Sequence, residues 1–220
     1  MANEEKTTGF RPLTPEPTLR RLPWYLAYVS LLRSRGVEFV SSTTISKEIN
    51  VDSSQIAKDL SVLSIKGKTR IGYEVEALEM AIKDFLGFTS SHRAVMMGVG
   101  SLGMALIADR GLQRFGLDVV AGFDTDPSII GLTIKGVPVF GISELKKRRE
   151  AYNADIGILA VPVEQAQSAA DLLVEAGVHA LWNFTPFRIS VKPGIVIENT
   201  SIYANLAVMY SRLSALDQGK

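Results

Sequence analysis

One stretch of this chain leaves little freedom in how it can fold. Residues Ala94 to Asp124 read AVMMGVGSLGMALIADRGLQRFGLDVVAGFD. An apolar strand runs into Gly98, Gly100 and Gly103, a helical segment follows, and a second strand, LDVVAGFD, ends on the acid Asp124. That order is the sequence form of a dinucleotide-binding βαβ unit. Gly98 permits the tight turn, Gly100 lets the backbone approach a pyrophosphate, and Gly103 lets the helix pack closely on the sheet. The helix then offers its unpaired N–H groups and positive dipole end to phosphate, with Val99, Ser101 and Leu102 in the same loop and a hydroxyl from Ser101. Asp124 stands where a carboxylate hydrogen-bonds a ribose 2′-OH and repels a 2′-phosphate, which favours NAD over NADP. The bland alternative is an ordinary turn aspartate. With 18 glycines in the chain, the motif alone is weak, and its context gives it weight.

That context continues to the C-terminus. VPVF reads as a strand, SELKKRREAY as a helix and ADIGILAVP as a buried strand ending at Pro162. VEQAQSAADLLVEAGV is a helix, HALWNFTP another strand, and GIVIEN closes the sheet. Strand–helix alternation predicts an α/β domain with a doubly wound parallel sheet over 92–199. Its carboxyl-end loops, Val161–Pro162 and Asn183, Phe184 and Thr185, should face the same crevice as the glycine turn. A dehydrogenase needs an acid or base beside the hydride acceptor. The two histidines, His92 and His179, fall at the opposite end of the sheet, so we expect a cofactor bound without turnover and no catalytic residue.

The residues before this domain read differently. Thr18 is placed to cap a first helix, with Pro23 in its opening turn and Tyr25, Tyr28, Val29 and Leu32 at helical spacing. Ser41 or Ser42 caps a short second helix through Ile45 and Ile49, and Asn50 suits the turn that follows. Asp52 and Gln55 have capping-box spacing for a third helix. There Ile56, Leu60 and Leu63 face inward, and Ser53, Ser54, Gln55, Lys58 and Ser61 face outward. Two short helices about a tight turn, the second polar outside, read as helix-turn-helix or as a plain three-helix bundle. SIKGKTRIGYEV then reads as a wing, with Lys66, Gly67, Lys68 and Arg70 within reach of phosphates or a minor groove. An amphipathic helix from about Val75 to Leu86 and the linker GFTSSHR complete the module. Net charge is only +1, yet ten bases stand against five acids between Phe10 and Gly72, a modest basic footprint.

The polar, proline-rich start, 1–17, reads as a loose tail without the apolar core of a signal peptide. No run of about 18 apolar residues is present, so the expectation is a cytoplasmic protein with no membrane partner. The absence of cysteine excludes disulfides and thiol switches, and no metal site is expected. A last helix, Ile202 to Leu213, carries Ile202, Leu206, Met209 and Leu213 on one stripe. It requires an apolar partner, either its own core or a second subunit.

Taken together, RLPWYL, GVEFVSS, SSQIAKDLS, GKTRIGY, GVGSLGMAL, FDTDP, KGVPV, ILAVP, AADLLVEAG, NFTP and IENTS resemble the Rex family of NADH-sensing bacterial repressors, in a divergent, Bacteroidetes-like form. The resemblance runs from about Thr18 to Leu213. It implies a winged-helix domain over 18–88, a Rossmann domain, and a homodimer whose C-terminal helices, within 200–217, are exchanged. It also implies double-stranded operator DNA bound when NADH is scarce and released by NADH, with NAD a weak competitor. By position, Lys58, Gly67 and Lys68 match DNA-facing residues, and Ser42 is counted with them. Gly98, Gly100, Gly103 and Asp124 match the cofactor site. Ala57 and Val62 stand where the family usually has arginine and tyrosine, and the wing reads KGKTR rather than aromatic-Gly-Lys-Arg-Gly. The family's operator preference therefore does not carry over. An ion-pair latch of some members maps to Ser201 and Arg21 and cannot form as an ion pair. The readings that rival this one are an NAD-dependent oxidoreductase with a helical oligomerisation module, and a CoA- or nucleotide-binding protein.

Overall fold

A computed structural model describes residues 14–218; most of the expected tail, 1–13, lies outside the described residues. The chain divides into two compact units between Ser90 and Ser91.

The first unit opens with α1 (Glu16–Ser34). Leu22, Tyr25, Leu26, Val29 and Leu32 recur at helical spacing and are buried, which is what drives this helix onto its neighbours. Two details differ from the sequence reading. The helix starts earlier, behind Pro15 with Pro17 in its first turn, and Pro23 sits well inside it. Thr18 is therefore not a cap. Its hydroxyl is turned inward and donates to Asp59 at 2.9 Å. Pro23 is exposed, and having no N–H it cannot bond the carbonyl one turn back.

A short strand β1 (Phe39–Val40) leads to α2 (Ser42–Ile49), capped by Ser41, whose Oγ accepts the Thr44 N–H. Asn50 at φ +53° turns the chain into α3 (Ser53–Leu60). Asp52 caps α3 by accepting from the Ser54 and Gln55 N–H groups. The capping box is incomplete, because the Gln55 side chain goes forward to Asp59 instead of back to residue 52. β2 (Tyr73–Glu74) pairs antiparallel with β1, Val40 opposite Tyr73, and α4 (Val75–Phe85) follows. The core of the unit gathers Leu22, Tyr25, Ile45, Ile56, Leu60, Leu78 and Ile82.

The second unit begins with β3 (His92–Met97), which starts two residues before the expected Ala94 and takes in His92 and Arg93. Then come α5 (Ser101–Ala108), α6 (Arg110–Arg114) capped by Asp109, and β4 (Leu117–Asp124). A small antiparallel hairpin of β5 (Thr133–Ile134) and β6 (Val137–Gly141) continues the chain. Next are α7 (Leu145–Tyr152), β7 (Ile156–Leu159), α8 (Ala166–Glu175), β8 (Ala180–Asn183), β9 (Val196–Asn199) and α9 (Ile202–Gln218). The sheet order is β5-β6-β4-β3-β7-β8-β9. Apart from the edge hairpin, neighbours pair in parallel. Chain order reverses between β3 and β7, and ligands of open parallel sheets bind beyond the strand ends at such a reversal. Val95, Met97, Ala121, Phe123, Leu159, Ala170, Leu173 and Leu181 form one core. Ala94, Met96, Val99, Ile107, Val139 and Ile158 form a second. Alternate residues of the buried strands feed the two, as the period of two demands.

Candidate functional site: a dinucleotide cleft and a DNA-reading face

The glycine turn is built as its spacing predicts. Gly98 has φ +89°, and a Cβ there would lie 2.5 Å from the Ala160 carbonyl oxygen. At Gly103 a Cβ would lie 2.1 Å from the Gly98 carbonyl oxygen, so any side chain would push α5 off the strand it follows. Gly100 is different. Nothing comes within 4 Å of where its Cβ would be, and it caps α5 without a side-chain hydrogen bond. An uncapped helix start facing open space offers its first N–H groups and its positive end to an anion. Ser101 and Leu102, in that first turn, are exposed.

Asp124 closes the other side. Its Oδ2 accepts the Val99 N–H at 2.7 Å, and its Oδ1 accepts those of Thr125 and Asp126 at 2.7 and 3.0 Å. The carboxylate thus pins the glycine turn to the end of β4. Val99 accordingly contributes no free N–H to a ligand; its side chain is core. Asp126 is set apart as a local turn residue: its carboxylate accepts from Ser128 N–H and Oγ–H, which hold its pKa below the ordinary value.

A cleft of about 260 Å³ runs along this edge, lined by Gly98, Gly100, Asp124, Thr125, Asp126, Ile129, Ile142, Val161, Pro162 and Gln165 among others. Val161 and Pro162 join the glycine turn as expected. Asn183, Phe184 and Thr185, expected at the same crevice, are not among the residues that line this volume. Asn183 is 1% exposed. Its Nδ2 donates to the Phe187 carbonyl oxygen and to Asn199 Oδ1, while its Oδ1 accepts from the Thr185 N–H and Oγ–H. Both side chains are consumed in knotting the β8 loop to β9. Phe184 packs against Trp182 with ring centroids 4.6 Å apart. His92 begins β3 and His179 immediately precedes β8, so both sit at the amino ends of strands, away from the cleft. His179 Nδ1 lies 3.4 Å from Asp155 Oδ1.

In the first unit, α2, the turn at Asn50 and α3 form a helix-turn-helix. Along α3, Ser54, Ala57 and Lys58 are exposed, Ser53 and Gln55 half-buried, and Ile56, Asp59 and Leu60 buried. Ser42, at the start of α2, is half-buried. Ser54 Oγ donates to the Asp52 carboxylate. The wing is a tight turn: Lys68 N–H donates to the Gly72 carbonyl at 2.7 Å, and Gly72 N–H returns to the Lys68 carbonyl at 2.9 Å. Arg70 occupies its tip at φ +65° and is exposed, as is Lys66. Gly67 lies against the Tyr73 ring. Lys68 folds back over the Phe39 ring, its Nζ 4.6 Å from the centroid, so the outstretched cations of this loop are Lys66 and Arg70.

Two buried carboxylates that the sequence reading counted merely as charge, or passed over, tie α1 to its neighbours, Asp59 from α3 and Glu79 from α4. Asp59, 1% exposed, accepts from Thr18 Oγ, Arg21 Nε and Nη2, Tyr25 OH and Gln55 Nε2 at 2.6–2.9 Å. Burial by itself raises its pKa, but hydrogen bonds from Arg21 and Tyr25 reverse this and hold it well below the carboxylate range. The same contact raises the pKa of Arg21, and burial followed by the Asp59 contact raises that of Tyr25. Glu79 on α4 accepts from Ser30, Arg33 and Lys83 at 2.6–2.9 Å. Burial again opposes ionisation, and those donors bring its pKa down to about 2. The cue was present in the sequence: Thr18, Arg21 and Tyr25 share one face of α1 at spacings of three and four, and Ser30 and Arg33 share another.

Comparison with known proteins places both sites in one family. A model described as putative DNA-binding protein N-terminus matches residues 14–61, and a CoA binding domain model matches 89–187. The redox-sensing transcriptional repressor Rex of Bacteroides fragilis is 57% identical over 200 residues, 91% of each chain. That of Porphyromonas gingivalis is 54% identical over 216 residues, 98% of each chain. This chain belongs to the Rex family. Among solved structures, the Rex-family repressor RSP in complex with NAD+ and operator DNA matches with a TM-score of 0.88 at 31% identity, over 94% of this chain and 96% of that one. RSP in complex with NADH gives 0.84 at 31% identity, over 94% and 98%. These relatives are named as transcriptional repressors over nearly the full length of the chain, which favours a repressor over the oxidoreductase reading. The CoA-binding match covers the Rossmann portion alone, whereas the Rex relatives cover 91–98% of the chain.

Proposed function

We propose that this chain is a cytoplasmic, homodimeric repressor that holds double-stranded operator DNA when NADH is scarce and lets go when NADH fills the glycine-turn cleft. The observation that carries the reading is the uncapped start of α5 at Gly100, which faces Asp124 across an open cleft in the same chain as a winged helix-turn-helix. Gly98, Gly100, Ser101, Leu102 and Gly103 would cradle the pyrophosphate, Asp124 the adenosine ribose, and Val161 and Pro162 the path toward the nicotinamide. Lys58, Lys66, Arg70 and the hydroxyls of Ser42, Ser53 and Ser54 would meet DNA. That RSP has been crystallised with NADH and, separately, with NAD+ and operator DNA supports the pairing of these two ligands.

The dimer reading is supported by α9. Ile202, Tyr203, Val208, Met209, Tyr210, Leu213 and Leu216 are 50–70% exposed along it. Among the described residues these side chains have little cover, which favours a second subunit over the alternative of packing on its own core. Apolar surface of that extent on one helix calls for a partner, and a second copy offering the same helix satisfies it symmetrically. Among the described residues no helix is long and apolar enough to cross a membrane.

Release by NADH requires tighter binding of NADH to the form that does not hold DNA; equal affinity for both forms would shift nothing. A gel shift on a palindromic upstream duplex, with NADH and NAD titrated separately, tests this. Loss of the shifted band at lower concentrations of NADH than of NAD is expected. Unchanged DNA affinity at saturating NADH would remove the switch.

A further inference from the structure

The buried carboxylate behind α3 fixes the chemistry of a side chain on its reading face. Gln55 is the third residue of α3 and the one amide in its sequence. It lies about 60° around the helix from Lys58, on the border between the exposed and buried faces. One turn further on, Asp59 accepts the Gln55 Nε2 hydrogen bond at 2.9 Å while also receiving Thr18, Arg21 and Tyr25. A carboxylate ringed by donors is ionised, and an ionised carboxylate can only accept. The Gln55 atom turned toward it must therefore be the amide nitrogen, and the carbonyl oxygen must lie on the other side. That nitrogen has two hydrogens and Asp59 takes one. With Asp59 taking the hydrogen that lies away from the carbonyl oxygen, what remains for a ligand is one N–H beside one carbonyl oxygen.

We propose that Gln55 is the adenine-reading residue of this repressor and that Asp59 is the positioning residue that sets the direction of its amide. In the major groove adenine presents an N6 donor beside an N7 acceptor, the pattern that a glutamine amide meets with two hydrogen bonds. The N-terminal part of a recognition helix is the part that reaches base edges. Holding the amide before DNA arrives removes rotamer freedom that would otherwise be lost on binding. The neighbours on α3 do not compete for this role: Ala57 has no polar group, Lys58 only donates, and the Ser54 hydroxyl already donates to Asp52. The inference rests on the reading of α3 as the DNA-facing helix.

The test is selection of binding duplexes from a randomised pool by the full-length wild type and by Gln55→Met, which keeps length and removes the amide. The wild type should enrich adenine at one position of each half-site. Gln55→Met should lose preference there and keep it elsewhere. Replacing that adenine with purine, which lacks the N6 amino group, should weaken wild-type binding roughly 5- to 140-fold and affect Gln55→Met less than twofold. The role of Asp59 is read without mutating the buried carboxylate, by 15N-edited NMR of the unliganded wild type. The Gln55 side-chain amide, assigned by its disappearance in Gln55→Met, should show one hydrogen shifted downfield by its carboxylate acceptor. The proposal is overturned if Gln55→Met selects the wild-type sequence, if the position it loses is not adenine, or if both amide hydrogens have random-coil shifts. A wild type that enriches no sequence at all would instead bring down the repressor reading on which the proposal stands.

Discussion

Changing Asp124 to asparagine removes one oxygen and one charge while keeping the shape of the side chain, and the structure says what that will cost. The carboxylate spends Oδ2 on the Val99 N–H and Oδ1 on those of Thr125 and Asp126. Asparagine has one acceptor oxygen. If it serves Thr125 and Asp126, its amide nitrogen confronts the Val99 N–H donor to donor. An unsatisfied buried N–H costs about 1–3 kcal/mol, and for a unit of this size that lowers the melting temperature by roughly 3–10 °C. Binding suffers further, because the glycine turn is no longer pinned and the ribose loses an ionised acceptor. A hydrogen bond to a charged group contributes about 1.5–3 kcal/mol, so NADH should bind about ten- to a hundredfold more weakly. With no negative charge to repel a 2′-phosphate, discrimination against NADPH should shrink as well. Thermal unfolding and isothermal titration with NADH and NADPH measure all three. If Asp124→Asn melts and binds like the wild type, Asp124 neither braces the turn nor faces the ribose, and the assignment of the cleft is wrong.

Three further outcomes are expected. Glu79 titrates at about 2 in the folded chain against an ordinary 4.5; a folded pKa below the unfolded one gives stability that is present above pH 4.5 and fades as pH falls toward 2. That contribution is at most about 3 kcal/mol, and denaturant unfolding at pH 7 and pH 3 should show a smaller pH dependence in Glu79→Gln than in the wild type. Lys58→Ala should weaken operator binding several-fold and leave NADH affinity intact; if the lysine meets a phosphate, the slope of binding against log salt falls by about 1. Leu213→Asp with Met209→Asp places charge on the exposed apolar face of α9 and should yield a folded monomer by sedimentation; an unchanged sedimentation coefficient would show that the helix does not join two copies.

Where a signal is local, it was legible in the chain. The strand–glycine–helix–strand–acid order reports covalent geometry and backbone freedom: Gly98 must take φ +89° and Gly103 must lie against the Gly98 carbonyl, and these demands are written in residue type. The same holds for the left-handed Asn50 and the Asp52 cap. Legibility failed where folding spends a side chain that looks free in the sequence. Asn183 and Thr185 look like crevice residues because they follow a strand, but their side chains are spent on Phe187, on Asn199 and on each other. Thr18 looks like a cap because it precedes an apolar run, yet its hydroxyl serves Asp59, 41 positions away.

The order of residues alone indicated the class of fold and the strand–glycine–helix turn, since each follows from which dihedrals and periodicities those residues allow, and it left a helix-turn-helix open beside a plain three-helix bundle. Tertiary structure alone decided which polar groups remain for a ligand. A hydrogen or lone pair taken up inside the protein is lost to a partner, and no reading of neighbours along the chain reveals that Asp59 collects α1 and Gln55 together, that Asp124 braces Val99, or that the apolar side chains of α9 stay exposed among the described residues.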